Sequence, residues 1–292
     1  MSSPSPQQAA WLPKLVIAPS FVLSLLFIYG LMAWNGYLSV SASRLLPNYE
    51  FVGLQHYGAL LESDRFRVAM TNMAVFGFFF IGGAMALGVL LAILLDQKVR
   101  GEGVLRTIYL YPMAISFIVT GTAWKWILNP GLGLQHLMHS WGFTDFHFEW
   151  LVNQDMAIYC VVIAGVWQSA GFVMALFLAA LRGIDDSIIK AAQVDGASLP
   201  TIYWRIILPS LGPVFFSTLL VVSHLAIKSF DLVMALTAGG PGYATDLPAT
   251  FMYATAFTRG QIGVGAASAT VMLATVAAIV VPYLYSELRS KR

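Results

Sequence analysis

The sequence is poor in charged residues and in cysteine. Only 10% of its 292 residues are Asp, Glu, Lys or Arg, whereas soluble domains carry roughly 25%. With 58% hydrophobic residues and a mean hydropathy of +0.75, the chain lacks the charge that a water-facing surface requires. An ordinary soluble enzyme is therefore excluded. The single cysteine, Cys160, excludes an intrachain disulfide and a metal site built from cysteines.

The sequence also lacks the marks of a nucleic-acid binder and of an ATPase. Sixteen basic and 14 acidic residues give a net charge of +2, and a nucleic-acid-binding domain is strongly basic. No Gly-x-x-x-x-Gly-Lys-Ser/Thr loop occurs to hold a phosphate. The apolar runs contain no set of histidines for a metal. We therefore predict no nucleic-acid partner, no catalytic residue, no metal and no cofactor in this chain.

Six apolar stretches are long enough to cross a membrane, since about 20 apolar residues span roughly 30 Å of hydrocarbon. The predicted fold class is thus an all-α integral membrane protein with six transmembrane helices. The first stretch exceeds the roughly 7–15 apolar residues of a secretion signal, so we expect it to be retained as an anchor. The predicted spans are 15–38, 69–95, 105–128, 156–181, 211–236 and 262–286.

The distribution of Lys and Arg predicts the orientation of the chain. An even number of spans places both termini on the same side, and ten of the 16 basic residues lie on that side. Because cytoplasmic loops are enriched in Lys and Arg, both termini are predicted to be cytoplasmic. The predicted organisation is a cytoplasmic tail (1–14), a membrane domain (15–286) and a second cytoplasmic tail (287–292).

The inner loop at 183–209 is the most informative segment. Asp185, Asp186 and Ser187 are residue types that cap the start of a helix, and an apolar pattern follows them. Gly196 then permits a bend that residues with a Cβ resist. A second short helix is predicted to end at Pro209, where the next span begins. Composition alone leaves open that this helix pair is a plain connector on the membrane surface.

The spacing within the loop resembles a known signature. Lys190-Ala191-Ala192, Gly196 and Ile206-Ile207-Leu208-Pro209 are similar to the E-A-A-x-x-x-G and I-x-L-P pattern of permeases from binding-protein-dependent ABC importers. Lys190 stands where that family has Glu. Three further segments resemble the carbohydrate branch of this family: 51–57, 106–133 and 230–242. With them, the resemblance covers about residues 10–290. The chain looks most like a permease of a bacterial glucose or mannose importer with the type I fold.

The resemblance implies both the partners and the mechanism. It implies a heterodimer with a second permease subunit, two ATPase subunits that bind ATP and Mg²⁺, and a periplasmic sugar-binding protein. It also implies a multi-pass position in the lipid bilayer of the bacterial inner membrane. The residues predicted to couple the permease to the ATPase lie in the inner loop: Lys190, Ala191, Ala192, Asp195, Gly196, Ala197 and Ser198.

Polar side chains in the fourth and fifth spans are the candidates for the sugar path, because polar groups inside a membrane usually face the bundle interior. The fourth span offers an amide and an aromatic ring one helical turn apart. In the fifth, positions 224, 228 and 231 are spaced to form one stripe. Helix packing, and pairing of Lys228 with Asp231, are the alternatives. The candidates are Gln168, Ser169 and Phe172, and His224, Lys228, Ser229 and Asp231. Asn72 in the second span is a weaker candidate.

Other functions stay open at this point. The same family could import another solute, such as an oligosaccharide or a glycerol phosphate. A self-contained secondary transporter is less favoured, because an ion relay usually needs buried acidic residues and Asp231 is nearly alone in the spans. An intramembrane enzyme is the least favoured class.

Overall fold

The computed structural model describes residues 6–97 and 99–290, which form an almost entirely helical fold. The first eight helices are α1 (Pro6–Ser24), α2 (Gly30–Ser39), α3 (Gln55–Glu62), α4 (Asp64–Asp96), α5 (Glu102–Ala114), α6 (Phe117–Ile127), α7 (Leu134–Ser140) and α8 (Ala157–Leu181). The others are α9 (Asp186–Val194), α10 (Leu199–Ile202), α11 (Leu208–Ser210), α12 (Gly212–Ile227), α13 (Asp231–Leu236), α14 (Pro248–Tyr253) and α15 (Ile262–Ser290). Three π-helical turns (Leu25–Tyr29, Tyr203–Ile207 and Ala254–Thr258) and one 3₁₀ turn (Trp150–Val152) join some of them.

The number of predicted spans agrees with the helices. Four uninterrupted helical segments are long and apolar enough to cross a membrane: Lys14–Ser39, Asp64–Asp96, Ala157–Leu181 and Ile262–Tyr283. Two further pairs of helices qualify when each bent pair counts as one span, which gives up to six, and the second of these pairs begins in the inner loop with Leu199–Ser210. Helix α1 begins at Pro6 and α15 continues to Ser290, so helical structure extends into both predicted tails, and the bounds of the membrane domain stay a prediction. The rest of both tails, 1–5 and 291–292, lies outside the described residues.

The third span, predicted as one helix over 105–128, is broken in the middle. Helices α5 and α6 meet at 101°. Pro112 lies in the last turn of α5, where its ring and missing N–H weaken helix continuation. Ser116 then has extended backbone angles, and its side chain accepts a hydrogen bond from the N–H of Val119. The side chain of Ser116 thus starts a new helix in a new direction.

The fifth span also differs from the prediction. A single helix over 211–236 is wrong, since α12 ends at Ile227 and a separate helix, α13, begins at Asp231. The polar pair Lys228-Ser229 interrupts the apolar run, and Asp231 occupies the first turn of α13, where a carboxylate favours a helix start. At its other end α12 meets the Leu199–Ser210 segment at 71°. The predicted i, i+4, i+7 stripe on one continuous helix therefore does not form.

The larger of two compact units comprises residues 63–251 and 272–292. Its centre is the packing of α4 against α8, where Phe76, Phe80, Val173 and Phe177 are almost fully buried. Gly88 permits this approach, because a Cβ there would collide with Val173. Small residues at helix contacts are the usual way in which membrane helices pack closely. This core positions both the bent third span and the inner loop.

The smaller unit comprises residues 1–62 and 252–271. Within it the amide of Asn35 on α2 donates to the carbonyl of Ala266 (3.2 Å) and to the hydroxyl oxygen of Thr270 (3.1 Å) on α15. The rings of Trp34, Tyr37 and Tyr49 lie 5.7–6.2 Å apart. Such aromatic clusters at span ends mark the level of the lipid headgroups.

Candidate functional site

The inner loop folds as the bent helix pair that its sequence predicts. The carboxylate of Asp185 accepts a hydrogen bond from the backbone N–H of Ser187 at 2.8 Å and so caps α9. This hydrogen bond to the charged form holds the pKa of Asp185 below its ordinary value. The cap therefore stays ionised at neutral pH, and its stabilising contribution is lost only as the pH falls through the lowered pKa.

Gly196 ends α9 in the geometry predicted for it. Its φ is +81°, in the left-handed region. The N–H of Ala197 donates to the carbonyl of Ala192 (3.0 Å), and the N–H of Gly196 donates to that of Gln193 (3.0 Å). This pair of hydrogen bonds is the Schellman arrangement, which satisfies the last carbonyls of a helix. The bend of the loop is thus fixed by backbone conformation.

Most of the predicted coupling residues lie on an exposed surface, which we call the coupling face. Lys190, Ala191, Asp195, Gly196 and Ser198 are exposed, and Ala197 is half-buried. Beside them Val194 is 88% exposed. Ala192 differs, because it is buried and packs into the chain's own core. Ala192 thus connects the exposed coupling face to the core of the chain.

The second half of the loop is anchored to the membrane helices. Ile202 and Ile207 are almost fully buried in the core. The hydroxyl of Tyr203 donates to the carboxylate of Asp96 at the end of α4 (2.5 Å) and accepts from the amide of Gln97 (2.7 Å). We call this group of three side chains the loop anchor. Sequence reasoning missed it, because nothing in the sequence pairs residues 107 positions apart.

Replacing Tyr203 with Phe is expected to loosen the coupling face while leaving the fold intact. The change removes two hydrogen bonds, one of them to a charged group, and such a bond contributes about 1.5–3 kcal/mol. We expect stimulation of ATP hydrolysis by a loaded binding protein to fall severalfold in proteoliposomes. The matched control is Tyr111→Phe, since Tyr111 is exposed at 65%. Equal stimulation in both variants would contradict a role for the anchor.

The candidates in the fourth span are held among other helices. Gln168 is only 4% exposed, and its side-chain nitrogen donates to the carbonyl of Ile115 at the bend of the third span (2.7 Å). Ser169 is buried and Phe172 is half-buried. A Cβ at Gly171 would collide with the carbonyl oxygen of Tyr109. This part of α8 therefore braces the bend between α5 and α6, and direct contact of Gln168 with a sugar stays a prediction.

Changing Gln168 to Leu separates these two roles. Loss of the donor removes the hydrogen bond to the carbonyl of the half-buried Ile115, and such a bond contributes about 0.5–1.5 kcal/mol. We expect a lower unfolding temperature in detergent, whereas Gln154→Leu, at an exposed position, should change it little. If stability were unchanged and only the dependence of transport on sugar concentration shifted, the amide would be a sugar ligand and the bracing role would be wrong.

The candidates in the fifth span gather around the break between α12 and α13. His224, Lys228 and Asp231 are exposed, and Ser229 is half-buried. No ion pair joins Lys228 to Asp231 among the described residues. Lys228, Ser229 and Asp231 line a cavity of about 40 Å³ beside Phe76 and Phe80. Small-molecule sites occupy roughly 300–1,000 Å³, so this chain alone does not enclose a sugar there.

A buried ion pair holds the segment that follows the fifth span. Arg65 on α4 contacts the carboxylate of Asp246 at 2.5 Å, with Asp246 only 1% exposed. The guanidinium also lies 4.5 Å from the centre of the Tyr243 ring. The amide of Asn72 donates to the carbonyls of Tyr243 and Asp246. Asn72 thus anchors this segment. The sequence contains one signal for the ion pair, namely a carboxylate between two apolar runs.

Taken together, the long apolar helices and the two bent helix pairs define a multi-pass membrane protein with an exposed inner loop. The chain belongs to the family of binding-protein-dependent transport system inner membrane components, which it matches over residues 84–290. It is therefore a permease subunit of an ABC importer in the inner membrane. Subunits of this family are not catalytic.

Relatives agree with this assignment, and a solved structure agrees with the fold. The chain is 38% identical to a probable ABC transporter permease protein of Pyrococcus horikoshii, over 93% of this chain and 94% of the relative. It is 36% identical to a xylose/arabinose import permease protein of Haloferax volcanii, over 91% and 84%. The fold matches a chain of a bacterial ABC transporter involved in import of the acidic polysaccharide alginate, with a TM-score of 0.84, 21% identity and coverage of 97% and 96%.

Proposed function

We propose that this permease imports a sugar, with a monosaccharide of the glucose or mannose kind as its cargo. The observation that carries the sugar assignment is the similarity to a permease whose name gives xylose and arabinose as its substrates. The polar groups at the break between α12 and α13 support it, because His224, Lys228 and Asp231 can offer hydrogen bonds to sugar hydroxyls on an exposed surface.

In this proposal the chain forms half of the translocation path. A second permease subunit supplies the other half, which fits a cavity too small to hold a sugar by itself. Two ATPase subunits bind ATP and Mg²⁺ and dock on the coupling face. A soluble binding protein delivers the sugar from outside, and both termini of the permease lie in the cytoplasm. Closure of the ATPase subunits moves the loop, and the loop anchor passes this movement to α4.

ATP hydrolysis by the complete transporter in liposomes tests the cargo. We expect stimulation by the cognate binding protein loaded with glucose or mannose and little stimulation by the empty protein. Stimulation by an oligosaccharide or a glycerol phosphate instead would agree with an ABC importer but would contradict a monosaccharide as its cargo. Transport driven by an ion gradient without ATP would contradict the division of labour between the subunits.

A further inference from the structure

Four arginines are predicted at the outer ends of the spans, where the positive-inside rule disfavours them. Arg65 is bound by Asp246, and Arg67 by Asp64 at 2.7 Å. Arg44 and Arg259 form no ion pair within residues 6–97 and 99–290. Both are exposed, and both line one open cavity of about 770 Å³ in the smaller unit. Two cations without a carboxylate at the same cavity indicate an anionic ligand.

The wall of this cavity presents donors and no acidic side chain. Asn48 and Thr258 line it beside the two arginines. The side-chain oxygen of Asn48 already accepts from the N–H of Glu50 at 3.0 Å, which leaves its amide nitrogen as a further donor. Guanidinium groups match the geometry of phosphate oxygens, with several N–H donors in one plane. The cavity therefore has the chemistry of a phosphate-binding site.

The backbone around the cavity is held in place from within the same unit. The hydroxyl of Ser43 donates to the carbonyl of Asn48 (2.8 Å), and the N–H of Gly263 donates to the carbonyl of Ser43 (2.9 Å). The ring nitrogen of His56 contacts the carbonyl of Ser41 at 2.8 Å. These hydrogen bonds tie the segment after α2 to the start of α15. The arginines are thus presented from a preorganised frame, which lowers the cost of binding.

The surroundings of the cavity point to a lipid as the source of the phosphate. Asn48 is followed directly by Tyr49 of the aromatic cluster, so the cavity lies at the headgroup level. Leu45, Leu46 and Phe257 also line it and are 73%, 82% and 68% exposed. A free phosphate would leave these side chains in water, whereas acyl chains would cover them. A binding protein docked here would cover them only while it is bound.

We propose that Arg44 and Arg259 form a site for the phosphate headgroup of an anionic phospholipid. In the proposed orientation of the chain, this lipid belongs to the outer leaflet. None of the residues of the coupling face or of the sugar path lines this site. The lipid fixes the ends of the first and last spans relative to the membrane surface.

Native mass spectrometry of the complete transporter, released from nanodiscs of equal phosphatidylglycerol and phosphatidylcholine, tests the site. We expect retained phosphatidylglycerol in the wild type and about 25-fold less in the double variant Arg44→Gln/Arg259→Gln, from about fivefold for each cation near anionic headgroups. Arg67→Gln is the matched control and should retain the lipid, since Arg67 is an exposed arginine paired with Asp64.

Three outcomes would overturn the proposal. The first is equal retention of phosphatidylglycerol by the wild type and the double variant. The second is displacement of the lipid by millimolar inorganic phosphate, which would make the cavity a site for a soluble anion. The third is unchanged lipid retention together with weaker affinity for the binding protein, which would assign the cavity to docking. Lipid retention is measured without transport, so a negative result in the sugar assay would not affect the proposed lipid site.

Discussion

Replacing Gly196 with Val is expected to reduce sugar-stimulated ATP hydrolysis at least tenfold while leaving membrane insertion intact. The φ of +81° at this residue is unfavourable for any side chain with a Cβ, by about 1–2 kcal/mol, and a β-branched residue is disfavoured further. Nothing in the chain lies within 4 Å of a Cβ built at Gly196. The loss therefore comes from the backbone bend that shapes the coupling face.

The control for this prediction is Gly196→Asn, because Asn adopts the left-handed region more readily than other residues. We expect it to retain stimulation within about threefold, given a backbone penalty well below 1.4 kcal/mol. Proteoliposomes with equal amounts of assembled transporter provide the measurement. If Gly196→Val and Gly196→Asn reduced stimulation equally, the loss would come from the added side chain on the coupling face. The backbone bend would then not account for it.

Arg65→Ala is expected to destabilise the protein by about 3–5 kcal/mol, the largest stability effect of a single side chain that we predict. The change leaves the carboxylate of Asp246, only 1% exposed, as a buried charge without its cation. Thr250 still donates to this carboxylate at 2.6 Å, but a neutral hydroxyl does not replace the guanidinium charge. Thermal or denaturant unfolding in detergent measures the loss.

Two variants serve as comparisons for Arg65→Ala. Arg67→Ala breaks an exposed pair with Asp64, which should cost at most about 1 kcal/mol. The double variant Arg65→Met/Asp246→Leu replaces the pair with apolar residues and should recover much of the lost stability. A double variant as unstable as Arg65→Ala would mean that packing around Arg65, and not the unpaired charge, accounts for the effect.

The features that were predictable from the sequence are those with a local signal. The cap and the bend of the inner loop are predicted by the residue types of Asp185 and Gly196. Both features form as predicted. The six spans follow from apolar length, which depends on little besides composition. The resemblance of 190–209 to a coupling loop is also a local pattern. The family assignment confirms the class of protein that this pattern predicts.

The features that sequence reasoning missed depend on contacts between distant residues. The break at Lys228 interrupts a run that hydropathy alone extends to Leu236. Gln168 looks like a pathway residue by type, yet its partner is a carbonyl 53 positions away. The Arg65–Asp246 pair joins residues 181 positions apart. Only the packing of α4 against other segments brings such groups together, and no local pattern encodes that packing.

Labelling of a cysteine at position 194 tests the central claim most directly, namely that the inner loop is the cytoplasmic docking surface for the ATPase. Val194 is 88% exposed on the coupling face, and Leu132 is 83% exposed in a loop predicted on the outer side. The native Cys160 is buried and should not react. Val194→Cys and Leu132→Cys can thus be compared with a membrane-impermeant maleimide.

We predict that Val194→Cys is labelled only from the cytoplasmic side and becomes protected when the ATPase subunits are bound. Leu132→Cys should react only from the outside, with or without the ATPase. Labelling of position 194 from the outside, or full reactivity in the assembled transporter, would contradict the claim.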